Sequence, residues 1–150
     1  MNDDAGPAVS LDCIINHLQE DNHPMEQKIL KIFITDDSEI ILKKIPEMLR
    51  DLENVQVVGH AESTFDTLRL VKEMTPDIVI LDIKLPGESG MDILKVLKDE
   101  KLVPAVIIFT NYPYPEYRQR CYDLGADYFY DKSTEFNQMV ETVRKIAGLF

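Results

Sequence analysis

Five polar residues of this 150-residue chain follow short apolar runs, and their side chains could together bind a cation and a phosphoryl group. Asp36 and Asp37 follow the first run, Asp82 the third, Thr110 the fourth and Lys132 the fifth. Three carboxylates brought close together repel, each pair by roughly 1 to 4 kcal/mol depending on the local dielectric. A small divalent cation such as Mg²⁺, which prefers oxygen ligands, would offset that charge. With a fixed ammonium and a hydroxyl donor beside it, the set suits phosphoryl transfer onto a carboxylate.

Each of these residues taken alone has an ordinary structural role. An Asp pair after a strand commonly caps a helix, a single Asp or Thr can begin a turn, and most lysines lie at the surface. The ordered set at the ends of four strands of one sheet is what indicates chemistry.

The elements that must hold these residues alternate between short β-branched runs and helical periodicity, which is the pattern of a doubly wound α/β domain. Predicted strands cover residues 29–35, 55–59, 78–81, 105–109 and 128–130, and predicted helices cover 38–52, 64–74, 91–98, 115–124 and 134–147. The near-continuous apolar run 78–81 predicts a parallel sheet covered on both faces. Ligands of such sheets bind beyond the carboxyl ends of the strands, where the five polar residues converge.

Composition and charge exclude several function classes. The 27 acidic and 16 basic residues give a net charge of −11, which disfavours direct binding of nucleic acid. The longest apolar stretch, 103–109, is far shorter than the roughly 18 residues of a membrane span. The N-terminus shows no signal peptide, and Cys13 and Cys121 have no metal-ligand spacing. We therefore predict a cytoplasmic protein with reduced thiols and no membrane insertion.

Residues 1–28 form an N-terminal extension that differs from the predicted domain at 29–150. They hold six acids and one lysine. Within them, residues 10–18 show helical spacing of apolar side chains after a capping Ser10. Because a lone helix of about ten residues is marginal in water, we expect it to pack on the main domain, with a regulatory or dimer contact as the alternative.

Four stretches of the sequence resemble the receiver domain of two-component response regulators, the CheY-like domains. They are Ile34-Thr35-Asp36-Asp37-Ser38, Leu81-Asp82-Ile83-Lys84-Leu85-Pro86-Gly87-Glu88-Ser89-Gly90, Phe109-Thr110-Asn111 and Gly125-Ala126-Asp127-Tyr128-Phe129-Tyr130-Asp131-Lys132. The resemblance extends over residues 28–148. It implies a flavodoxin-like α/β fold with a five-stranded parallel sheet of order 2-1-3-4-5, in agreement with the pattern of elements above.

The resemblance also implies a role for each residue of the acidic set. Asp82 would be the phosphoacceptor, receiving a phosphoryl group from a phosphohistidine on a sensor histidine kinase or a histidine phosphotransfer protein. Mg²⁺ would be held by Asp36, Asp37, Asp82 and the backbone carbonyl of Lys84, with Asp36 acting largely through water. Together with Lys132, the metal would stabilise charge on the transferring phosphoryl oxygens.

A conformational switch is implied by the same resemblance. Thr110 would bind a phosphoryl oxygen after transfer, and its movement would draw Phe129 from an outward to an inward rotamer. The surface formed by the fourth helix, fifth strand and fifth helix, residues 115–147, would then change for a downstream protein or a second protomer. Phe129 has no hydroxyl, so a hydrogen bond from that ring is not available.

Further departures from the family pattern bear on the lifetime of the phosphoryl group. Asn111 is larger than the residue common at its position and could narrow phosphoryl access or slow phosphoryl loss. Ser133 stands where proline is common, so a cis peptide bond before it is not implied. Lys84 and Tyr112 flank the site, and Lys84 could pair with Glu88.

Other function classes fit less well. A haloacid-dehalogenase-type phosphatase also uses carboxylates, Thr, Lys and Mg²⁺, but it needs Asp-x-Asp on its first strand, and here the pair is contiguous. A degenerate receiver that only binds a partner would not need all five chemical positions filled. About 18 residues follow Lys132, so we expect a stand-alone phosphoacceptor domain rather than an enzyme, with the receiver portion of a longer regulator as the alternative.

Overall fold

A five-stranded parallel sheet lies at the centre of the part of the chain that this computed structural model describes, residues 28–149. Its strands are β1 (Leu30–Thr35), β2 (Val55–Ala61), β3 (Ile78–Leu81), β6 (Ala105–Thr110) and β7 (Tyr128–Asp131). Two short strands, β4 (Lys84–Leu85) and β5 (Glu88–Ser89), pair antiparallel outside this sheet. The order in the main sheet is β2-β1-β3-β6-β7, so the predicted order of five parallel strands is confirmed.

Five helices alternate with the strands of the main sheet, as predicted, and the fifth follows β7. They are α1 (Glu39–Met48), α2 (Thr64–Met74), α3 (Gly90–Asp99), α4 (Pro115–Asp123) and α5 (Phe136–Ala147). Serine hydroxyls cap the first three, because Ser38, Ser63 and Ser89 each accept a hydrogen bond from a backbone N–H in the first turn.

The predicted extent of the first helix is wrong at its C-terminal end. The sequence predicts residues 38–52, whereas α1 ends at Met48. Pro46 lies inside its last turn and has no N–H to donate. Beyond it Leu49 leaves helical geometry, and a hydrogen bond of 3.0 Å from Leu52 N to Leu49 O forms a turn that leads into β2.

Apolar side chains cover both faces of the sheet, so polar groups are left at the strand ends. Alternate residues of β1 point to opposite sides: Ile32 and Ile34 pack with α1 and α5, and Phe33 packs with α2 and α3. Helix α4 contributes little to the apolar core, since Cys121 is its one buried residue. Burial raises the pKa of the Cys121 thiol to about 12, which keeps this cysteine protonated at neutral pH.

Some predictions fall outside the described residues. These are the helix at 10–18 and the state of Cys13, and the domain boundary at residue 29 also stays a prediction. Within residues 28–149, none of the helices combines the length and the apolar character that crossing a membrane requires.

Candidate functional site

The candidate site forms at the carboxyl ends of the central strand β3 and its neighbour β1. These strands pair in register, with Thr35 beside Leu81, so the residues that follow them, Asp36 and Asp82, are brought together. A hydrogen bond of 3.0 Å from Asp82 N to Thr35 O extends the ladder by one step. Both side chains are buried, with residue exposures of 2% for Asp36 and 5% for Asp82.

Asp37 completes an acidic pocket with these two residues. One carboxylate oxygen from each of Asp36, Asp37 and Asp82 lies within 4.8 Å of the others. Asp37 is exposed, so the pocket is open to solvent on its side. This all-oxygen donor set could hold a hard divalent cation that retains part of its water shell.

Lys132 joins the two buried carboxylates. Its Nζ lies 2.7 Å from Asp36 Oδ2 and 2.8 Å from Asp82 Oδ2, and its side chain is 7% exposed. The backbone places it there, because Lys132 N donates to Thr110 O at 2.9 Å at the end of the β6–β7 ladder. The structure thus brings together Asp36, Asp82 and Lys132, which are widely separated in sequence.

Burial and ion pairing act in opposite directions on these groups. Burial raises the pKa of the Asp36 carboxyl, and the contact with Lys132 offsets only part of this effect. Burial alone would lower the pKa of the Lys132 ammonium, but its hydrogen bonds to Asp36 and Asp82 outweigh this, and the pKa is raised. When its three carboxyl groups are ionised, the pocket has two more negative charges than the one ammonium offsets, and one divalent cation would neutralise them.

Thr110 lies at the same edge of the sheet, at the end of β6. It is fully buried, and its Oγ1 accepts a hydrogen bond of 3.2 Å from Tyr112 N. That bond uses an acceptor site of the hydroxyl and leaves its hydrogen available to donate.

Phe129 has an inward ring in this structure. It is 2% exposed and packs in the cluster that includes Cys121 and Ala126. Its ring faces the guanidinium of Arg118 at 4.7 Å and lies 6.5 Å from the Tyr122 ring. The predicted outward-to-inward movement needs a second state for comparison and stays a prediction.

The side chains flanking the pocket differ in part from the sequence-based expectation. Lys84 does not extend to Glu88 but lies over the Tyr112 ring, 5.3 Å from its centroid. Glu88 instead caps α2, where its Oε1 accepts a hydrogen bond of 2.5 Å from Thr64 N. The backbone N–H of Lys84 donates to Asp82 Oδ1 at 3.2 Å, which orients the carboxylate. No peptide bond within residues 28–149 is cis, so the bond before Ser133 is trans.

Gly90 is a positioning residue that the sequence analysis missed. Its N–H donates to Ile83 O at 2.9 Å, which holds the start of α3 against the loop that follows Asp82. A Cβ built on Gly90 would lie 2.0 Å from the Asp82 carbonyl oxygen and 2.7 Å from Ile83 Cα. The glycine belongs to a quoted motif, but only the three-dimensional contact shows why no side chain fits there.

Gly90→Ala is expected to destabilise the fold and displace Asp82, because the new methyl group would overlap backbone atoms that cannot move independently. We expect a loss of about 3 kcal/mol in the free energy of unfolding, measured by urea denaturation. Gly148→Ala is the matched control, since its Cβ would meet the nearest atom at 3.4 Å. Equal stability of the two variants would contradict the proposed contact.

Comparisons with known sequences agree with this geometry. The sequence model of the response regulator receiver domain matches residues 32–144. The response regulator GacA of Pseudomonas aeruginosa is 30% identical over 118 residues, which cover 79% of this chain and 55% of GacA. A protein-glutamate methylesterase/protein-glutamine glutaminase of Clostridium acetobutylicum is 33% identical over 105 residues, covering 69% of this chain and 30% of that protein. The chain thus spans about half the length of GacA and 30% of the length of the methylesterase.

Solved structures show the same fold. The signal receiver domain of the putative response regulator NarL from Mycobacterium tuberculosis superposes with a TM-score of 0.71 at 22% identity. The match covers 81% of this chain and 98% of that domain.

Proposed function

This chain belongs to the response regulator receiver domain family of two-component systems, and on that premise we propose that its phosphoacceptor is Asp82. The phosphoryl donor would be a phosphohistidine on a sensor histidine kinase or a histidine phosphotransfer protein. The observation that carries the proposal is the position of Lys132 Nζ, which lies between the buried carboxylates of Asp36 and Asp82, with Asp37 completing the pocket.

Mg²⁺ is the proposed cofactor. Asp36, Asp37 and Asp82, with the backbone carbonyl of Lys84, would hold it, and the all-oxygen chemistry and net charge of the pocket fit a hard divalent cation. When bound, the metal would supply positive charge beside the phosphoryl oxygens.

The proposed reaction forms one bond and breaks one. A carboxylate oxygen of Asp82 bonds to phosphorus while the phosphorus–nitrogen bond of the donor phosphohistidine breaks, and the electron pair leaves with the donor imidazole. Lys132 Nζ, 2.8 Å from Asp82 Oδ2, is placed to exchange this contact for one with a phosphoryl oxygen. The Thr110 hydroxyl would then donate to another phosphoryl oxygen.

The proposed output is a change of the surface formed by α4, β7 and α5. Thr110 and Phe129 lie on the neighbouring strands β6 and β7, which supports coupling between the phosphoryl site and this surface. A downstream protein or a second copy of the chain would bind there.

Incubation with acetyl phosphate and Mg²⁺ tests the assignment. We expect the intact mass to increase by one phosphoryl group, the adduct to be labile at alkaline pH, and peptide mapping to place it on Asp82. Label on another residue would contradict the proposal.

Tyr112→Ala is expected to shorten the lifetime of the phosphoryl group. Lys84 and Tyr112 follow Asp82 and Thr110 by two residues each, and their cation–π contact joins the two sides of the pocket. Its loss would admit attacking water more often, by about threefold if it contributes as a surface cation–π contact does. The rate of label loss after removal of donor measures this. Lys84→Met should give a similar rate, and the double variant should add little. Tyr114→Ala is the control, and an equal effect there would contradict the interpretation.

A further inference from the structure

Arg118 of α4 lies against the ring of Phe129 on β7. Its guanidinium carbon is 4.7 Å from the ring centroid, within the range of a cation–π interaction. The ring is 2% exposed and Arg118 is partly buried, so the contact is shielded from solvent on the side of the ring. Because Phe129 has no hydroxyl, the face of its ring is the group through which it can attract a cation.

Helix α4 has few other attachments to the sheet, among them the Tyr122 ring, whose centroid lies 6.5 Å from that of Phe129. Cys121 is the one buried residue among Pro115–Asp123. The helix begins at a proline, and Tyr114 at its N-cap makes no side-chain capping hydrogen bond. The Arg118–Phe129 contact can therefore contribute a large part of the stability with which α4 docks on the sheet.

Arg118 also acts on the end of β7. The pKa of Asp131 is lowered, chiefly by its hydrogen bond with the Ser133 hydroxyl and in smaller part by the charge of Arg118. Asp131 directly precedes Lys132, so the charge of Arg118 is felt at the strand end that carries the lysine of the acidic pocket.

We propose that Arg118 is a positioning residue that holds Phe129 inward and docks α4 on β7 before any phosphoryl group is bound. The inward ring is then part of the resting protein, and phosphorylation has less structural change left to produce on this surface. The contact itself does not depend on the proposed function, although its regulatory consequence rests on it.

Hydrogen exchange of the α4 amides in the full chain, without phosphoryl donor, tests the contact. Arg118→Met keeps the length of the side chain and removes its charge, and Arg118→Lys keeps a cation. We expect exchange about fivefold faster in Arg118→Met and within about twofold of wild type in Arg118→Lys. Arg120→Ala, an exposed position on the same helix, is the matched control. Wild-type exchange in Arg118→Met, failure of lysine to restore protection, or an equal effect of Arg120→Ala would overturn the proposal.

Addition of Mg²⁺ and beryllofluoride, a phosphoryl mimic, tests the consequence. We expect little further protection of α4 in wild type and recovery of most of the lost protection in Arg118→Met. A large gain in wild type would overturn the claim that the ring is already held. No response of α4 in any variant would contradict the proposed coupling of the Asp82 site to this surface and leave the Arg118 contact supported by the first experiment.

Discussion

Asp82→Asn is expected to abolish phosphorylation by acetyl phosphate or phosphoramidate in the presence of Mg²⁺. The substitution keeps the size of the side chain but removes the nucleophilic carboxylate. It also replaces one of the two carboxylate oxygens of Asp82, which contact Lys132 Nζ at 2.8 Å and accept a hydrogen bond from Lys84 N at 3.2 Å. Intact mass spectrometry measures the fraction of chain that carries a phosphoryl group.

The control for this variant is Asp99→Asn, an exposed carboxylate of α3 that pairs with Lys95. It should label like wild type. Labelling of Asp82→Asn at full stoichiometry would contradict the assignment, and mapping of the label to Asp37 would identify the exposed carboxylate of the pocket as the nucleophile instead.

The fold and the core of the site could be predicted from the sequence because both follow from periodicity. The apolar run 78–81 and the helical pattern 64–74 coincide with β3 and α2. Once the strands are parallel and adjacent, the residues that follow them must lie at one edge of the sheet. The order of predicted strands and helices is therefore enough to predict that Lys132 lies close to Asp36 and Asp82.

Contacts made by loops and helix faces could not be predicted in this way. The closeness of Gly90 to the Asp82 carbonyl depends on how α3 docks on the loop. The Lys84–Tyr112 contact joins β4 to the loop that follows β6. The Arg118–Phe129 contact depends on the placement of α4, a helix with little apolar periodicity of its own. The end of α1 at Met48 depends on local geometry after Pro46.

Lys132→Met is expected to destabilise the metal-free protein at neutral pH by about 3 kcal/mol, the low end of the cost of leaving a buried charge without its partner. The variant leaves Asp36 and Asp82 buried side by side without the ammonium that lies 2.7 and 2.8 Å from them. Urea denaturation in the presence of EDTA measures the loss. Lys95→Met, which removes an exposed ion pair with Asp99, should change stability little.

Mg²⁺ and pH should both reduce this loss, for the same electrostatic reason. A divalent cation can replace the missing ammonium, so saturating Mg²⁺ should stabilise Lys132→Met more than wild type. The pKa of Asp36 is already raised by burial, and removing Lys132 removes an effect that lowers it. A carboxyl group whose pKa is higher in the folded than in the unfolded protein stabilises the fold at pH values below its unfolded-state pKa. That stabilisation is lost as pH rises through its folded-state pKa. The gap between variant and wild type should therefore narrow as pH falls toward the pKa of Asp36. A gap that responds to neither Mg²⁺ nor pH would show that the lost stability comes from packing rather than from charge.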